Sequence, residues 1–243
     1  MATGSGKVWL VGAGPGAIDL ITVRGARLLG AADAVLYDAL VTPEMLDLCP
    51  QAELIPVGKR SGRRSTAQAH INQLLVDAAR RHSRVVRLKG GDPMLFGRAD
   101  EELRALEEAG IEVEVVPGIT AALAGAAAAK HPLTRRGIAR SVAFFTSATA
   151  PGEPDHVTLP DCDTLVQYMG GQQAIDTAKR LLERGKAADT PVLAIENVSL
   201  ANQHLMRLTL AEMAHGLPAC SGPVLVMIGE ALREREAPDG LGL

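Results

Sequence analysis

Short β-branched runs separated by amphipathic stretches recur along the whole chain, and this alternation restricts the fold more than any other feature. Val8–Val11, Ala34–Tyr37, Leu54–Val57, Val85–Leu88 and Val113–Val116 read as strands in the first half. Runs that are apolar on both faces and spaced by helices predict a largely parallel sheet. One helix is predicted from about Ser65, where Ser65-Thr66-Ala67-Gln68 has the pattern of a capping box and Ile71, Leu74, Leu75 and Ala78 follow at helical spacing. A second runs from about Arg98 to Ala109 and stops at Gly110; a third, Ile119 to Lys130, is so rich in alanine that another backbone or a ligand can approach it closely. Around His131 to Ala139 the composition turns to Pro, Thr, Arg and Gly, and a boundary is placed there, giving domains 1–135 and 136–243. The alternation resumes with strands at Val142–Thr146, Thr164–Tyr168, Val192–Glu196, His204–Leu208 and Val224–Ile228, and a helix from Gln172 to Arg184 stopped by Gly185. Pro151–Asp163 reads as a surface loop and the residues after Arg233 as a tail. The expected fold class is α/β: two α/β domains with largely parallel or mixed sheets.

Composition narrows the function. With 243 residues, 47% of them hydrophobic, the chain can fill the cores of two modest domains. A net charge of -3 argues against a general nucleic-acid binder, and 2% aromatics cannot supply a base-stacking platform. Cys49, Cys162 and Cys220 are odd in number and in no metal-ligand spacing, which points to a reduced, cytoplasmic setting without a structural metal. The first residues lack the pattern of a secretory signal, and the longest small-apolar run, Ile119–Ala129, is shorter than the ~20 residues a membrane helix requires. No membrane partner is expected.

Five loops carry candidate chemistry. Gly12-Ala13-Gly14-Pro15-Gly16-Ala17 follows the first strand with the GxGxxA spacing of a dinucleotide fingerprint, and Asp38 lies where a ribose-binding acid would. Pro15 removes a donor at the loop tip, however, and Asp19–Thr22 intervenes before any helix, so a ligand site and a tight structural turn both remain open. Lys89-Gly90-Gly91-Asp92-Pro93 and Pro117-Gly118-Ile119-Thr120-Ala121 also follow strands, where open α/β sheets gather their ligands. Asp92 can accept from an amine or hydroxyl, or merely cap a turn; Thr120 can cap a helix, hold a ligand, or both. Met169, in Tyr168-Met169-Gly170-Gly171, offers soft packing to an adenine or a thioether if it is not core. Lys59, Arg60, Arg63 and Arg64 form a basic cluster that either decorates the surface or, with Arg98, Arg135 and Arg136, binds carboxylates.

Taken in order, these segments resemble the tetrapyrrole methylases: GAGPG from Gly12, YDALV from Tyr37, VGKR from Val57, RLKGGDP from Arg87, VPGITAA from Val116, PLTRR from Pro132, YMG from Tyr168 and ENVS from Glu196. The resemblance extends from Val8 to about Glu230. It implies two α/β domains with the methyl donor S-adenosylmethionine between them, a homodimer, and transfer of two methyl groups to uroporphyrinogen III, giving precorrin-2 and S-adenosylhomocysteine. It assigns cofactor contacts to Pro15, Gly90, Gly91, Asp92, Leu95, Thr120, Ala121, Met169 and Val198. Catalysis falls to Asp38, Lys59, Arg98 and Glu101, and carboxylate binding to Arg60, Arg63, Arg64 and Arg135. Three departures from the family pattern stand out: Ala99-Asp100 replaces a pair of glycines, Arg135 replaces a histidine, and Thr146-Ser147-Ala148 lacks the usual Gly-His.

Chemically, an electron-rich pyrrole carbon attacks a sulfonium methyl, so positioning and exclusion of water dominate and no metal is needed. Asp38 and Glu101 are both sensible acceptors for the proton the ring then loses, whereas the guanidinium of Arg98 stays charged and serves carboxylate binding. The rival readings are a precorrin methylase of other regiochemistry, an NAD-dependent oxidoreductase suggested by the GxGxxA spacing, and a nucleotide-binding sensor.

Overall fold

The computed structural model describes residues 6–58, 68–147 and 158–234. The chain divides into two compact units, Met1–Ala121 and Ala122–Leu243. The first holds strands β1 (Lys7–Gly12), β2 (Ala34–Tyr37), β3 (Glu53–Pro56), β4 (Arg84–Lys89) and β5 (Val113–Val116), with helices α1 (Val23–Leu29), α2 (Pro43–Leu46), α3 (Gln68–Arg81) and α4 (Ala99–Glu108). Its five strands lie in the order β3-β2-β4-β1-β5, and every pairing is parallel. All five carboxyl ends therefore share one rim, with β4, β1 and β5 adjacent there: Gly12 lies opposite Lys89, and Val11 opposite Val116.

Alternation along each strand divides the core. Val8, Leu10 and Val85 face Leu75 of α3 and Leu106 of α4, while Val11, Val86 and Leu88 face Leu29 of α1 and Met45 of α2. Leu10, Leu29, Leu75, Leu88 and Leu106 are each fully buried, worth about 1.5–3 kcal/mol apiece. On α3 the buried set Ile71, Leu75, Ala78 keeps the helical spacing expected of it; Ser65 to Ala67, the start of the expected capping box, lie outside the described residues. α4 ends as its glycine predicts: Gly110 sits at φ +68°, and the Ile111 N–H donates to Leu106 C=O at 2.9 Å.

The second unit holds α5 (Ala121–Ala129, whose first residue closes the first unit), β6 (Val142–Thr146), β7 (Thr164–Tyr168), α6 (Ala174–Glu183), β8 (Pro191–Glu196), β9 (His204–Thr209), α7 (Leu210–Met213) and β10 (Val224–Ile228). Its sheet runs β6-β7-β10-β8-β9 and is mixed: β6 and β7 are parallel, and the other three pairings antiparallel. The antiparallel β8–β9 pairing has a local cause. Only the short turn after Glu196 joins β8 to β9, too few residues for a parallel crossover. The sequence division at 135/136 grouped the Ala-rich helix with the first half, whereas the compact units divide at Ala121/Ala122. Gly125 brings α5 so close to its sheet that a Cβ there would lie 3.1 Å from Leu225 and 3.2 Å from Ile195, both of the second unit. Its small residues thus serve a neighbouring sheet.

Candidate active site

The three glycine loops of the first unit are laced to one another by backbone. Gly14 and Gly91 exchange hydrogen bonds, the Gly91 N–H donating to Gly14 C=O at 2.7 Å and the Gly14 N–H to Gly91 C=O at 3.2 Å, and the Ala13 N–H donates to Lys89 C=O at 2.8 Å. A Cβ on Gly12 would lie 2.6 Å from Gly118 N and 2.7 Å from Gly91 O, so these loops meet only because they carry no side chains. The glycines read from sequence as openings for a ligand are in part the joints between loops. The dinucleotide reading loses its geometry here: the Gly14 amide is spent on Gly91, and a short turn, Ile18–Leu20, precedes α1, whose N-cap is Thr22. No helix N-terminus follows the glycines directly, as pyrophosphate binding of that kind requires.

One side of the lacing stays open. Gly91 has φ +68°, and a Cβ built on it would meet nothing nearer than Thr120 Cα at 4.0 Å. Beside it, Asp92 ties two loops together: one carboxylate oxygen accepts the Met94 N–H at 2.8 Å and the other the Gly118 N–H at 2.9 Å. Each oxygen keeps a lone pair after those bonds, so capping the turn and receiving a ligand are compatible. Gly90, Leu95, Ala121 and Pro15 are half-buried around these loops, and Thr120 is buried. Gly91, Asp92 and Thr120 therefore lie on adjacent loops.

Backbone strain follows the same loops. Among the described residues six non-glycine residues take positive φ, and five of them, Phe96, Arg98, Met169, Asn197 and Ser199, lie in or beside the GGDP, YMG and ENVS segments. Such conformations cost of order 1–3 kcal/mol each and persist where surrounding structure enforces them, commonly at functional sites.

The charged candidates are distributed unevenly. Asp38 follows β2 on the shared rim; one of its oxygens accepts the Leu40 N–H at 3.1 Å and the other lies 3.9 Å from the guanidinium of Arg87. Arg98 grips Glu101 with a fork of 2.7 and 2.8 Å, so both Glu101 oxygens are engaged. Lys59, Arg60, Arg63 and Arg64 lie outside the described residues. Beneath the rim is a cluster that sequence reasoning missed: Arg87 Nε donates to Glu102 at 3.0 Å and Lys89 Nζ to its other oxygen at 2.8 Å, with all three side chains no more than 4% exposed. Burial pushes the Lys89 ammonium below its ordinary value and neighbouring Arg87 adds to the push, while Glu102 opposes it. A signal was available. Arg87 and Lys89 stand two apart on the buried stretch Val85–Lys89 of a central strand, hence on one face, and Glu102 stands one turn from Leu106 on the buried stripe of α4.

In the second unit Met169 is exposed, at φ +54°, next to Tyr168, whose hydroxyl accepts the Ala122 N–H at 3.2 Å. Val198 is buried, so backbone is what it offers a ligand. Its turn is braced by Glu196, which accepts the N–H groups of Gly222 and Ser221 at 2.6 Å each and is held below its ordinary value by those two bonds. Arg135 is half-buried and donates to the backbone C=O of Arg233 at 3.4 Å. Among the described residues no group of His, Cys, Asp or Glu could hold a metal.

Known proteins share this arrangement. The family model described as Tetrapyrrole (Corrin/Porphyrin) Methylases matches residues 7–214. The uroporphyrinogen-III C-methyltransferase of Pseudomonas aeruginosa is 47% identical over 95% of this chain and 96% of its own length. A siroheme synthase of a Psychrobacter species is 43% identical over 94% of this chain, which spans only 48% of that longer protein. Among solved structures, the uroporphyrin-III C-methyl transferase of Thermus thermophilus complexed with S-adenyl homocysteine superposes with a TM-score of 0.80 at 39% identity, covering 93% of this chain and 99% of that one. Loops laced at the rim of a parallel sheet, a mixed second sheet and a match of nearly full length place this chain in the tetrapyrrole (corrin/porphyrin) methylase family.

Proposed function

We propose that this chain transfers two methyl groups from S-adenosylmethionine to uroporphyrinogen III, giving precorrin-2 and S-adenosylhomocysteine. The observation that carries the reading is the open side of Gly91, flanked by Thr120 and by the remaining lone pairs of Asp92, on the carboxyl rim of the parallel sheet. The near end-to-end match to the Pseudomonas aeruginosa enzyme supports the reaction and its substrate. The residues present fit the donor molecule. A sulfonium nucleoside presents hydroxyl and amino donors together with one positive charge, and the loops offer an anionic carboxylate, a buried threonine and a glycine whose missing side chain leaves room. S-adenosylmethionine supplies an electrophilic methyl group on sulfur.

The chain's own residues have the remaining tasks. Gly90, Gly91, Asp92, Leu95, Thr120, Ala121 and Pro15 are proposed as the first unit's cofactor contacts, and Met169 and Val198 as those of the second. Asp38 is the preferred acceptor of the proton lost from the ring, because it directly follows β2 on the shared rim, whereas the alternative, Glu101, lies within α4 and is tied up in a two-point ion pair with Arg98. Arg98 is 58% exposed and keeps further donors beyond that fork, so it suits a substrate carboxylate, as do Arg135 and the basic segment Lys59, Arg60, Arg63 and Arg64. The working form is proposed as a cytoplasmic homodimer. No helix among the described residues is long and apolar enough to cross a membrane.

Anaerobic incubation with uroporphyrinogen III and labelled donor, followed by a count of methyl groups on the product, tests the reaction. Two are expected. No label on uroporphyrinogen III, with transfer only to an already methylated precorrin, would replace this reading with a later methylase of the same family.

A further inference from the structure

The buried charges beneath the rim are costly to maintain and are not needed for packing. Removing three ionised side chains from water costs several kcal/mol per ion, and apolar residues of similar size commonly fold as well or better. Yet Arg87, Lys89 and Glu102 are 4%, 4% and 1% exposed. Two cations against one carboxylate leave a surplus positive charge, and the carboxylate that answers it is Asp38, 26% exposed at the mouth, 3.9 Å from Arg87. The guanidinium has little freedom: Nε is held by Glu102 at 3.0 Å, and one terminal nitrogen donates to Leu88 C=O at 3.0 Å while facing Asp38. Lys89 completes the arrangement by satisfying the second Glu102 oxygen at 2.8 Å, and Gln68 approaches the first at 3.5 Å. Asp38 is thereby held by the Leu40 N–H on one oxygen and drawn by the charge of Arg87, 3.9 Å away, on the other.

We infer that Glu102 is a positioning residue for methyl transfer: with Lys89, it clamps Arg87 from beneath the sheet rim and so orients Asp38 to receive the ring proton. The inference rests on the proposed reaction, and α4 is its mechanical anchor. Glu101, one residue earlier on the helix, is exposed and paired with Arg98, and takes no part in the clamp. Arg87 acts through Asp38, and Glu102 acts through Arg87.

The test compares variants in steady-state methyl transfer, with S-adenosylhomocysteine binding by calorimetry as the measure of an intact cofactor site. Glu102→Gln leaves two buried cations with one distant counter-charge; kcat is expected to fall at least tenfold while KM for the donor and S-adenosylhomocysteine affinity stay within twofold. Adding Lys89→Met removes the surplus charge and leaves an amide oxygen to accept from Arg87 Nε, so kcat is expected to recover at least fivefold from the single variant. Adding Arg87→Met to that pair removes the last ion of the cluster and leaves the amide introduced at position 102 beside Gln68, and turnover is expected to fall at least a hundredfold with binding retained. Should the single variant fail to fold, the comparison of double with triple decides alone. A triple variant as active as the double, or a folded Glu102→Gln with wild-type kcat, overturns the inference. A wild-type protein that binds S-adenosylhomocysteine yet transfers no methyl group to uroporphyrinogen III overturns instead the reaction on which it rests.

Discussion

Replacing Gly118 with alanine probes the lacing of the loops directly. The added Cβ would lie 2.8 Å from Gly12 Cα and 3.0 Å from Gly12 C, and closer still to Gly91 O. All are backbone atoms of neighbouring loops, so no rotamer change relieves the clash. Overpacking of this kind costs about 1–3 kcal/mol. For a chain of this size each kcal/mol lowers the melting temperature by about 2–4 °C, so a fall of roughly 2–12 °C is expected by scanning calorimetry. Because the displaced atoms border the open side of Gly91, S-adenosylhomocysteine affinity should fall at least tenfold, about 1.4 kcal/mol. Gly110→Ala is the control: Gly110 has φ +68° but nothing within 4 Å of its missing side chain, so the variant carries only backbone strain. It should lose about 1–2 kcal/mol of stability and no affinity. A Gly118→Ala protein with wild-type melting and wild-type affinity would refute the claim that the rim is built by contact between glycine backbones.

Other consequences are equally concrete. Arg98→Lys breaks the fork onto Glu101 and should raise KM for the tetrapyrrole or lower kcat, with S-adenosylhomocysteine affinity unchanged by calorimetry. Thr209 and Glu212 form a reciprocal capping box at the start of α7, so Thr209→Ala should cost about 1 kcal/mol in urea unfolding and leave turnover intact. Glu196 is held below its ordinary value by the Gly222 and Ser221 N–H groups, so its stabilisation is complete above the unfolded-state value near ~4.3 and is lost as pH falls through the lowered folded value. Urea titrations from neutral to acidic pH should therefore show Glu196→Gln converging on the wild type as the pH drops; a constant gap would contradict that linkage.

The fold was legible wherever short-range pattern decides it. Ala34–Tyr37, Val113–Val116, Val142–Thr146, Thr164–Tyr168 and Val224–Ile228 stand as strands with the limits their β-branched runs predict, and Gly110 and Gly185 end α4 and α6 as terminating glycines should. What pattern could not supply was long-range. The approach of Gly12 to Gly118 joins residues over a hundred positions apart, so glycines that look like openings for a ligand turn out to serve partly as contacts between loops. A separation of 26 positions likewise hid the role of Asp92, whose second oxygen reaches the Gly118 amide. Arg87 and Lys89 could have been noticed, since two cations on one face of a central strand demand a buried partner, but identifying Glu102 as that partner required knowing where α4 packs. Glu101 shows the reverse: on sequence it was as good a proton acceptor as Asp38, and only its place within α4, paired with Arg98, separates them.

The most direct test is a crystal structure of the protein soaked with S-adenosylhomocysteine. The account predicts nucleoside density against the open side of Gly91, within hydrogen-bond reach of Asp92 or Thr120. Density bound elsewhere, with those three residues facing solvent, would contradict it.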